Sequence, residues 1–533
     1  MPKVNVKVPH LNGFDKSFKH LLTSKVGTLT PIMCDEVCPG TKVHLKSALM
    51  AQLPPLATDT FMRVNLKVES FFVPHRLLYG GYTSWMTNEE LRLPTAPQTI
   101  LKARLPFLVL DEDDSPNSGS LLDHLGLHFV SQASAQEKFN IFPLLAYHRV
   151  YDDWYRNPNV QTPVFNRPLV NPTTTVPVSV YNLPYVTFDD SYTGTLGFHL
   201  TTQFADGVAL GSLRQRNFGF DYFTNAMPSP QRGDAQKVSI DTSDNTFTIA
   251  ALRAANSLQQ FAERNILAGP RWQDFLKANY GVDLSDGVAQ RSLYLGSGEI
   301  NVYNRSVITT SANALSGSST PNGNPFGGTT NAIGQAAKFG DASASGELTL
   351  IDDFTANESG IIMVMASLVP VVTYGHGINR MFLRFNDDNS QTDMATPILQ
   401  NIGNQPIYRS ELTGKPTDKG VFGYTDRYAD FKTMFDQLSG IVRDGESLQA
   451  FALQRSISGS PEISSDFLQI PTDYMDQVTV VNGWLSNYGY WLDAYFDYKV
   501  AMPLDGYSLP SLQDPAYEHG RDVQINTNGS QIA

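Results

Sequence analysis

The sequence is poor in cysteine and in charged residues, and both shortages limit what the protein can be. Cys34 and Cys38 are the only two cysteines among 533 residues, so the fold does not rest on a disulfide framework. Charged residues make up 17% of the chain and apolar residues 41%, a balance that excludes an intrinsically disordered protein. We therefore expect a folded chain with a sizeable core, made and kept in a reducing cytoplasm.

Long apolar runs and catalytic motifs are missing as well. The longest apolar run, 361–372, contains Ser367 and Pro370, and it is shorter than the roughly 20 residues that span a bilayer. No Walker loop, nucleophile elbow or zinc-protease helix occurs, and Gly375-x-Gly377 lacks the third glycine of a nucleotide-binding turn. We predict no membrane anchor, no enzymatic activity and no cofactor.

Two groups of residues suggest a metal site, but both are incomplete. Cys34 and Cys38 supply two of the four ligands of a structural zinc site, and the nearest histidine, His44, lies on the strand face opposite to Val43. The acidic run 111–114 lacks the spaced ligands and central glycine of a calcium loop. Free thiols at a turn and a solvated loop are the simpler interpretations, so we predict no bound metal.

Alternation of apolar and polar residues predicts two early strands. Residues 43–50 and 62–68 both follow a period of two, which gives a strand one buried and one wet face. In the second of them, Val64 is assigned to the core and Asn65 to the wet face. The two prolines at 54–55 exclude a tight two-residue hairpin between these strands.

Later segments predict more strands and a few helices. The apolar run 361–372 is typical of a strand buried on both faces, and 496–502 alternates as a closing strand. A short aromatic helix should follow Pro143, with packing favoured over base stacking for its aromatic side chains. Two further helices are predicted, one that ends at Gly269 with an apolar face, and a second over about 272–280 that Gly281 closes. The apolar face of the first is formed by Leu252, Ala255, Leu258, Ala262 and Ile266.

Two segments are predicted to be irregular. Residues 1–31 begin with a proline-bounded stretch, which we interpret as an N-terminal arm that either crosses a neighbouring subunit or frays. Residues 311–345 are rich in glycine, serine, threonine, asparagine and alanine and contain almost no large apolar side chain. We expect them to form a long mobile loop.

Several blocks of sequence occur in a fixed order between Glu36 and Pro510. They are Glu36-Val37 before Pro39-Gly40, the FFVPHRL run at 71–77, the DYFT and PSPQRG runs at 221–224 and 228–233, and the runs at 375–381 and 421–428. These blocks resemble the major capsid proteins of the Microviridae, and the gokushovirus-like branch in particular, although Tyr79 stands where a tryptophan is expected.

The resemblance implies a fold and a function. The fold would be mainly β, an eight-stranded antiparallel jelly-roll sandwich that forms a single domain over 1–533, with long insertions and a few short helices. The function would be to self-assemble into an icosahedral shell, part of the virion, around a circular single-stranded DNA genome. The implied partners are copies of the chain itself, an internal scaffolding protein, a pilot protein, a small basic DNA-binding protein and a host surface receptor.

The main alternative is a carbohydrate-binding or carbohydrate-active jelly roll, because sandwiches host many lectins and glycosidases. A glycosidase needs two carboxylates that flank a cleft, and the sequence does not identify such a pair.

The net charge of −13 means that the surface as a whole repels nucleic acid. Any contact with DNA must therefore use a local patch. Basic residues concentrate modestly near the N-terminus, at Lys3 and Lys7, and around 214–222. As candidate contacts for weak binding that does not read sequence, we select Arg214, Arg216, Phe218 and Tyr222.

Overall fold

The structure is a computed structural model that describes residues 11–56, 60–87, 90–93, 96–103, 105–110, 118–127, 137–165, 187–188, 197–233, 249–310, 336–384, 393–479, 483–504, 524–525 and 531–532. The strands are β1 (Asn12–Asp15), β2 (Phe18–Ser24), β3 (Thr28–Val37), β4 (Lys42–Gln52), β5 (Val64–Pro74), β6 (Glu90–Leu93), β7 (Ala96–Ala103), β8 (Phe107–Leu110), β9 (Glu137–Asn140), β10 (Thr187–Phe188), β11 (Gly197–Phe198), β12 (Arg214–Gln215), β13 (Leu293–Asn301), β14 (Tyr303–Thr310), β15 (Ala336–Thr355), β16 (Gly360–Pro370), β17 (Asn404–Tyr408), β18 (Val421–Asp426), β19 (Tyr490–Met502), β20 (Gln524–Ile525) and β21 (Gln531–Ile532).

The helices are short, with the exception of one 20-residue helix. They are α1 (His75–Leu78), α2 (Tyr82–Met86), α3 (Leu121–His124), α4 (Phe142–Val150), α5 (Ile249–Ala268), α6 (Trp272–Tyr280), α7 (Arg380–Leu383), α8 (Ser410–Thr413), α9 (Ala429–Lys432), α10 (Ser465–Leu468) and α11 (Trp484–Asn487). A π-helical turn, Tyr151–Tyr155, continues α4, and 3₁₀ turns lie at Pro397–Ile402, Gly440–Val442, Gln449–Phe451 and Asp476–Val478.

Two antiparallel sheets form the body of the protein. The first has six strands in the order β1-β19-β4-β15-β14, with β2 also paired to β19. The second has five strands in the order β12-β3-β16-β5-β13. Their facing side chains, among them Leu45, Leu66, Val364 and Leu492, share one buried core. The prediction of a mainly β antiparallel sandwich is confirmed, while the specific jelly-roll wiring stays a prediction.

The two early strands follow the predicted alternation. Val43 and Leu45 on β4 are buried, whereas His44 between them is partly exposed and points outward. On β5, Val64 is 1% exposed and its neighbour Asn65 faces partly outward. Because β4 and β5 belong to different sheets, the chain between them crosses from one sheet to the other, and the predicted absence of a tight hairpin is confirmed.

Strand β16 is buried on both faces, as predicted. Ile362 and Val364 point into the core between the sheets. Ile361 and Met363 point the other way, into a second core on the outward face of the five-stranded sheet. Successive side chains of a strand point to opposite sides, so a strand between two cores must be apolar throughout.

The second core is built by an insertion of the chain itself. Helix α4 starts next to Pro143, and its helical run ends at Tyr155, before Pro158, which confirms the predicted aromatic helix. Tyr147 is fully buried and donates a hydrogen bond to the carbonyl of Leu29 on β3 at 2.8 Å. Packing of these aromatic side chains is thereby confirmed, and part of the outward face of this sheet is covered.

The predicted N-terminal arm is wrong for the described residues 11–31. Strands β1 and β2 both pair with β19 of the same chain, and β3 pairs with β16. The edge of β19 would otherwise expose unpaired backbone groups, and the N-terminal strands satisfy them. Residues 1–10, with Lys3 and Lys7, lie outside the described residues.

The predicted loop at 311–345 is wrong for its last ten positions, which belong to β15 and pair with β14 and β4. Backbone hydrogen bonds hold this strand, so it does not need large side chains there. Just beyond the segment, a Cβ on Gly346 would lie 3.1 Å from Ile300 Cδ1, and within it Ala344 is 1% exposed. The small residues allow close packing of the sheets. Residues 311–335 lie outside the described part.

Candidate functional site

The four candidate DNA contacts are placed in the interior. Arg214 is 3%, Phe218 4% and Tyr222 6% exposed, and the Arg216 side chain is 15% exposed. A contact with DNA requires accessible side chains, and these four side chains are too deeply buried to meet that requirement. The structure assigns these residues to contacts within the chain.

Arg216 links the five-stranded sheet to the insertion above it. Its guanidinium donates to both carboxylate oxygens of Glu69, at 2.6 and 3.1 Å, and to Ser367 Oγ at 2.9 Å. Tyr155 donates to the same carboxylate at 2.5 Å, and burial together with Glu69 raises the pKa of Tyr155 far above its ordinary value. This bidentate contact between a guanidinium and a carboxylate is stronger than a hydrogen bond between neutral groups.

Arg214 forms a second buried junction. It donates from Nε to His148 Nδ1 at 3.0 Å and forms an ion pair with Asp206. Burial and the nearby guanidinium lower the pKa of His148 far below its ordinary value, so the imidazole is neutral. Its Nδ1 accepts the bond from Arg214 and its Nε2 therefore donates to the carbonyl of Leu210, at 2.8 Å.

Three of the family blocks meet at one place. Tyr374, next to the 375–381 block, donates to Asp221 Oδ2 at 2.7 Å, and Tyr222 donates to Glu411 at 3.1 Å. Arg380 of that block donates to the same Glu411 at 2.9 Å. The block at 421–428 pairs with the chain just after Asp221, through the amide and carbonyl of residues 227 and 424. These three blocks, which carry the resemblance, are therefore held together by hydrogen bonds inside the folded chain.

Steric crowding explains why position 377 of the 375–381 block is a glycine. Gly377 has a φ of +141°, and a Cβ there would lie 2.4 Å from the carbonyl oxygen of Glu411. Only glycine fits this close approach of two backbone segments. A strand-end turn is therefore the correct interpretation of Gly375-x-Gly377.

An accessible surface lies on the opposite sheet. Along β19, Trp491 and Tyr495 point outward and are 42% and 49% exposed, while Leu492 and Ala494 point into the core. Asp493 lies between these two aromatic residues, in register with Leu21 on one side and Met50 on the other. Leu21 and Met50 are 68% and 52% exposed. We call this outward face of the six-stranded sheet the bare face, because its side chains remain exposed.

The bare face carries charges of both signs, with more carboxylates than lysines. Two of its lysines are paired, Lys19 with Asp493 at 2.9 Å and Lys499 with Asp497 at 3.2 Å. Sequence alternation predicted the two sides of the strand only over 496–502, and the sequence did not single out this face as a site. The charged residues of the face are Lys19, Lys42, Lys46, Lys499, Asp15, Asp352, Asp353, Asp493, Asp497 and Glu347.

Neither cysteine approaches a metal-binding arrangement. Cys34 and Cys38 are free thiols, and burial raises the pKa of Cys34 to about 12. Within the described ranges, no three histidine, cysteine, aspartate or glutamate side chains converge as metal ligands. Across the same ranges, every helix is too short or too polar to cross a membrane.

Comparison with known proteins gives one consistent family. The family model described as Capsid protein (F protein) matches residues 5–245 and 240–512. The chain is 24% identical over 600 residues to Capsid protein VP1 of Chlamydia phage 1, across 94% of this chain and 96% of the relative. It is 25% identical over 550 residues to Capsid protein VP1 of Bdellovibrio phage phiMH2K, across 93% and 95%. It is 21% identical over 589 residues to Capsid protein VP1 of Spiroplasma virus 4, across 96% of each.

These matches cover nearly the whole length of each protein, and they confirm the resemblance that the sequence blocks suggested. None of them supports the carbohydrate-binding alternative. A capsid protein is a structural component of the virion. The chain belongs to the capsid protein (F protein) family of small phages, and its role is that of a structural major capsid protein.

Proposed function

We propose that the chain assembles into a closed icosahedral shell around circular single-stranded DNA, and that the bare face forms the inner wall of this shell. The observation that carries the orientation is the difference between the two sides of the sandwich. The insertion with α4 and Tyr147 covers part of the five-stranded sheet, whereas the outward side chains of the other sheet, among them Trp491 and Tyr495, are exposed. A smooth wall suits a packed genome, and surface relief suits the exterior.

The chemistry of the bare face supports weak contact with single-stranded DNA. Exposed Trp491 and Tyr495 offer flat rings on which bases of any sequence can stack. Lys42 and Lys46 lie on the same face and offer two positive charges to phosphates, although carboxylates of the same face lie nearby. The contact should therefore be weak and independent of sequence.

Most of the genome charge must be neutralised by other molecules. Single-stranded DNA carries one negative charge per nucleotide, and a chain with a net charge of −13 adds more of the same sign. A local inner patch, polyvalent cations or a separate basic protein could supply the missing positive charge, and we propose a small basic DNA-binding protein. An internal scaffolding protein, a pilot protein, a host surface receptor and assembly in the bacterial cytoplasm follow from the family resemblance and stand as proposals.

We expect the purified chain to bind single-stranded DNA weakly, with a shallow salt dependence that corresponds to a few phosphates. Replacement of Trp491 and Tyr495 by alanine should weaken binding at least about tenfold, because each stacked base contributes about 1–3 kcal/mol. Filter binding across a series of salt concentrations measures both quantities. The matched control is Phe382→Ala, which removes a 70% exposed aromatic residue from helix α7. Tight binding at physiological salt, or equal losses in both variants, would contradict the proposal.

A further inference from the structure

Helix α5 has an apolar face of which only the second half is buried in its own chain. Ala262 and Ile266 on this face are 8% and 3% exposed. Leu252 and Leu258, on the same face one to three turns earlier, are 48% and 53% exposed, and Ala255 between them is partly exposed. We call Leu252, Ala255 and Leu258 the α5 stripe.

Hydrogen bonds hold the second half of α5 to the rest of the chain. The carbonyl of Ala262 accepts from the amide of Arg232 at 3.3 Å, and the carbonyl of Ile266 accepts from Asn159 Nδ2 at 3.1 Å. Asn279 of α6 donates to Asn265 at 3.1 Å. The first ten residues of the helix, a length of about 15 Å, extend from these anchor points and carry the α5 stripe on a largely exposed surface.

The α5 stripe is suited to packing against another helix. It contains no charged residue, so its burial would not remove a charge from water. At about 100° per residue, Arg253 and Arg264 lie on the opposite side of the helix. Ala255 between two leucines allows a second helix to approach closely, with the leucines on either side of the contact.

We infer that the α5 stripe packs against the α5 stripe of a neighbouring copy in the assembled shell. This inference rests on the proposed function, because a shell brings copies of the chain side by side. Two copies of the α5 stripe can pack against each other because both are apolar and uncharged. Over most of the remaining surface, two chains that each carry a net charge of −13 repel one another.

Cysteine cross-linking in assembled particles tests this contact. Ala255→Cys places a thiol in the α5 stripe, and Gln260→Cys places one on the far side of the same helix, where the side chain is exposed. With a short bismaleimide, particles of the Ala255→Cys chain should yield covalent dimers as the main product. Particles of the Gln260→Cys chain, and of the unmodified chain with Cys34 and Cys38, should yield almost none. Leu252→Cys is a second stripe variant and should also give dimers.

The outcomes separate this inference from the proposed function. Particles that form normally but give no dimers at positions 255 and 252 would overturn the α5 contact and leave the shell intact; a segment of the same chain over the stripe would produce this result. Equal cross-linking at position 260 would also overturn it. Failure of the unmodified chain to form particles with its scaffolding partner would overturn the proposed function itself.

Discussion

Val64→Asp is expected to prevent accumulation of soluble, folded protein, whereas Asn65→Asp on the next position is expected to be mild. Val64 is 1% exposed in the core between the two sheets and lies in register with Pro370 of β16. A carboxylate there has no partner, and its burial costs several kcal/mol. A typical domain is stable by only about 5–15 kcal/mol, so a loss of this size is decisive.

Asn65 provides the matched control because it is adjacent in sequence but faces outward. Its side-chain amide donates to Glu299, and the aspartate variant loses that bond at a cost of about 1 kcal/mol. Soluble yield and the urea midpoint measure both effects. Equal soluble yields of the two variants would show that the register of β5 is wrong.

Arg216→Ala is expected to destabilise the fold by about 3–5 kcal/mol, because it leaves the Glu69 carboxylate buried without its cation. The side chains of this pair are 15% and 17% exposed. The comparison variant, Lys67→Ala, breaks a pair with Glu299 whose side chains are 33% and 44% exposed, and should cost about 0–1 kcal/mol. Urea unfolding of the two variants gives the difference directly.

A second substitution separates this structural role from a role in DNA binding. Glu69→Gln in the Arg216→Ala background removes the unpaired charge and should restore part of the lost stability. If Arg216→Ala were as stable as Lys67→Ala and had instead lost DNA binding, the contact with Glu69 would not be the role of this arginine, and the DNA contact first predicted from the sequence would regain its basis.

Several strands and the longer helices were predictable because their signals are local. Alternation at Val64 and Asn65 needs only the period of a strand, and Gly281, with a φ of +68°, closes α6 as a glycine at that position should. The closing strand was also predicted, although β19 begins at Tyr490, six residues before the expected start. Local patterns identify an element well and its ends less well.

The charge pairs were not predictable from the sequence because their partners are far apart along the chain. Arg216 and Glu69 are separated by 147 positions, so the sequence does not show that they pair. Arg214 and Arg216, close to aromatic residues in the sequence, therefore suggested an exposed basic patch. One signal was present. After Glu69, the strand changes from alternating residues to the continuous apolar run at 71–73, which indicates that its outward face becomes covered at that point.

The two irregular segments were mispredicted for a related reason. Residues 18–24 and 336–345 form strands because other strands offer backbone hydrogen bonds to them, β19 to the first segment and β14 and β4 to the second. The composition of a segment indicates how much apolar surface its own side chains can bury. It does not indicate whether backbone hydrogen bonds from a neighbouring strand will hold the segment in a sheet.

A reconstruction of the assembled particle by electron cryo-microscopy tests the central claim most directly. Co-expressed with its scaffolding partner, the chain should form uniform closed shells in which each sandwich has the bare face, with Trp491 and Tyr495, on the inner wall. The α4 insertion should lie on the outer side. Shells with the bare face turned outward, or only monomers and dimers in the presence of the partner, would contradict the account.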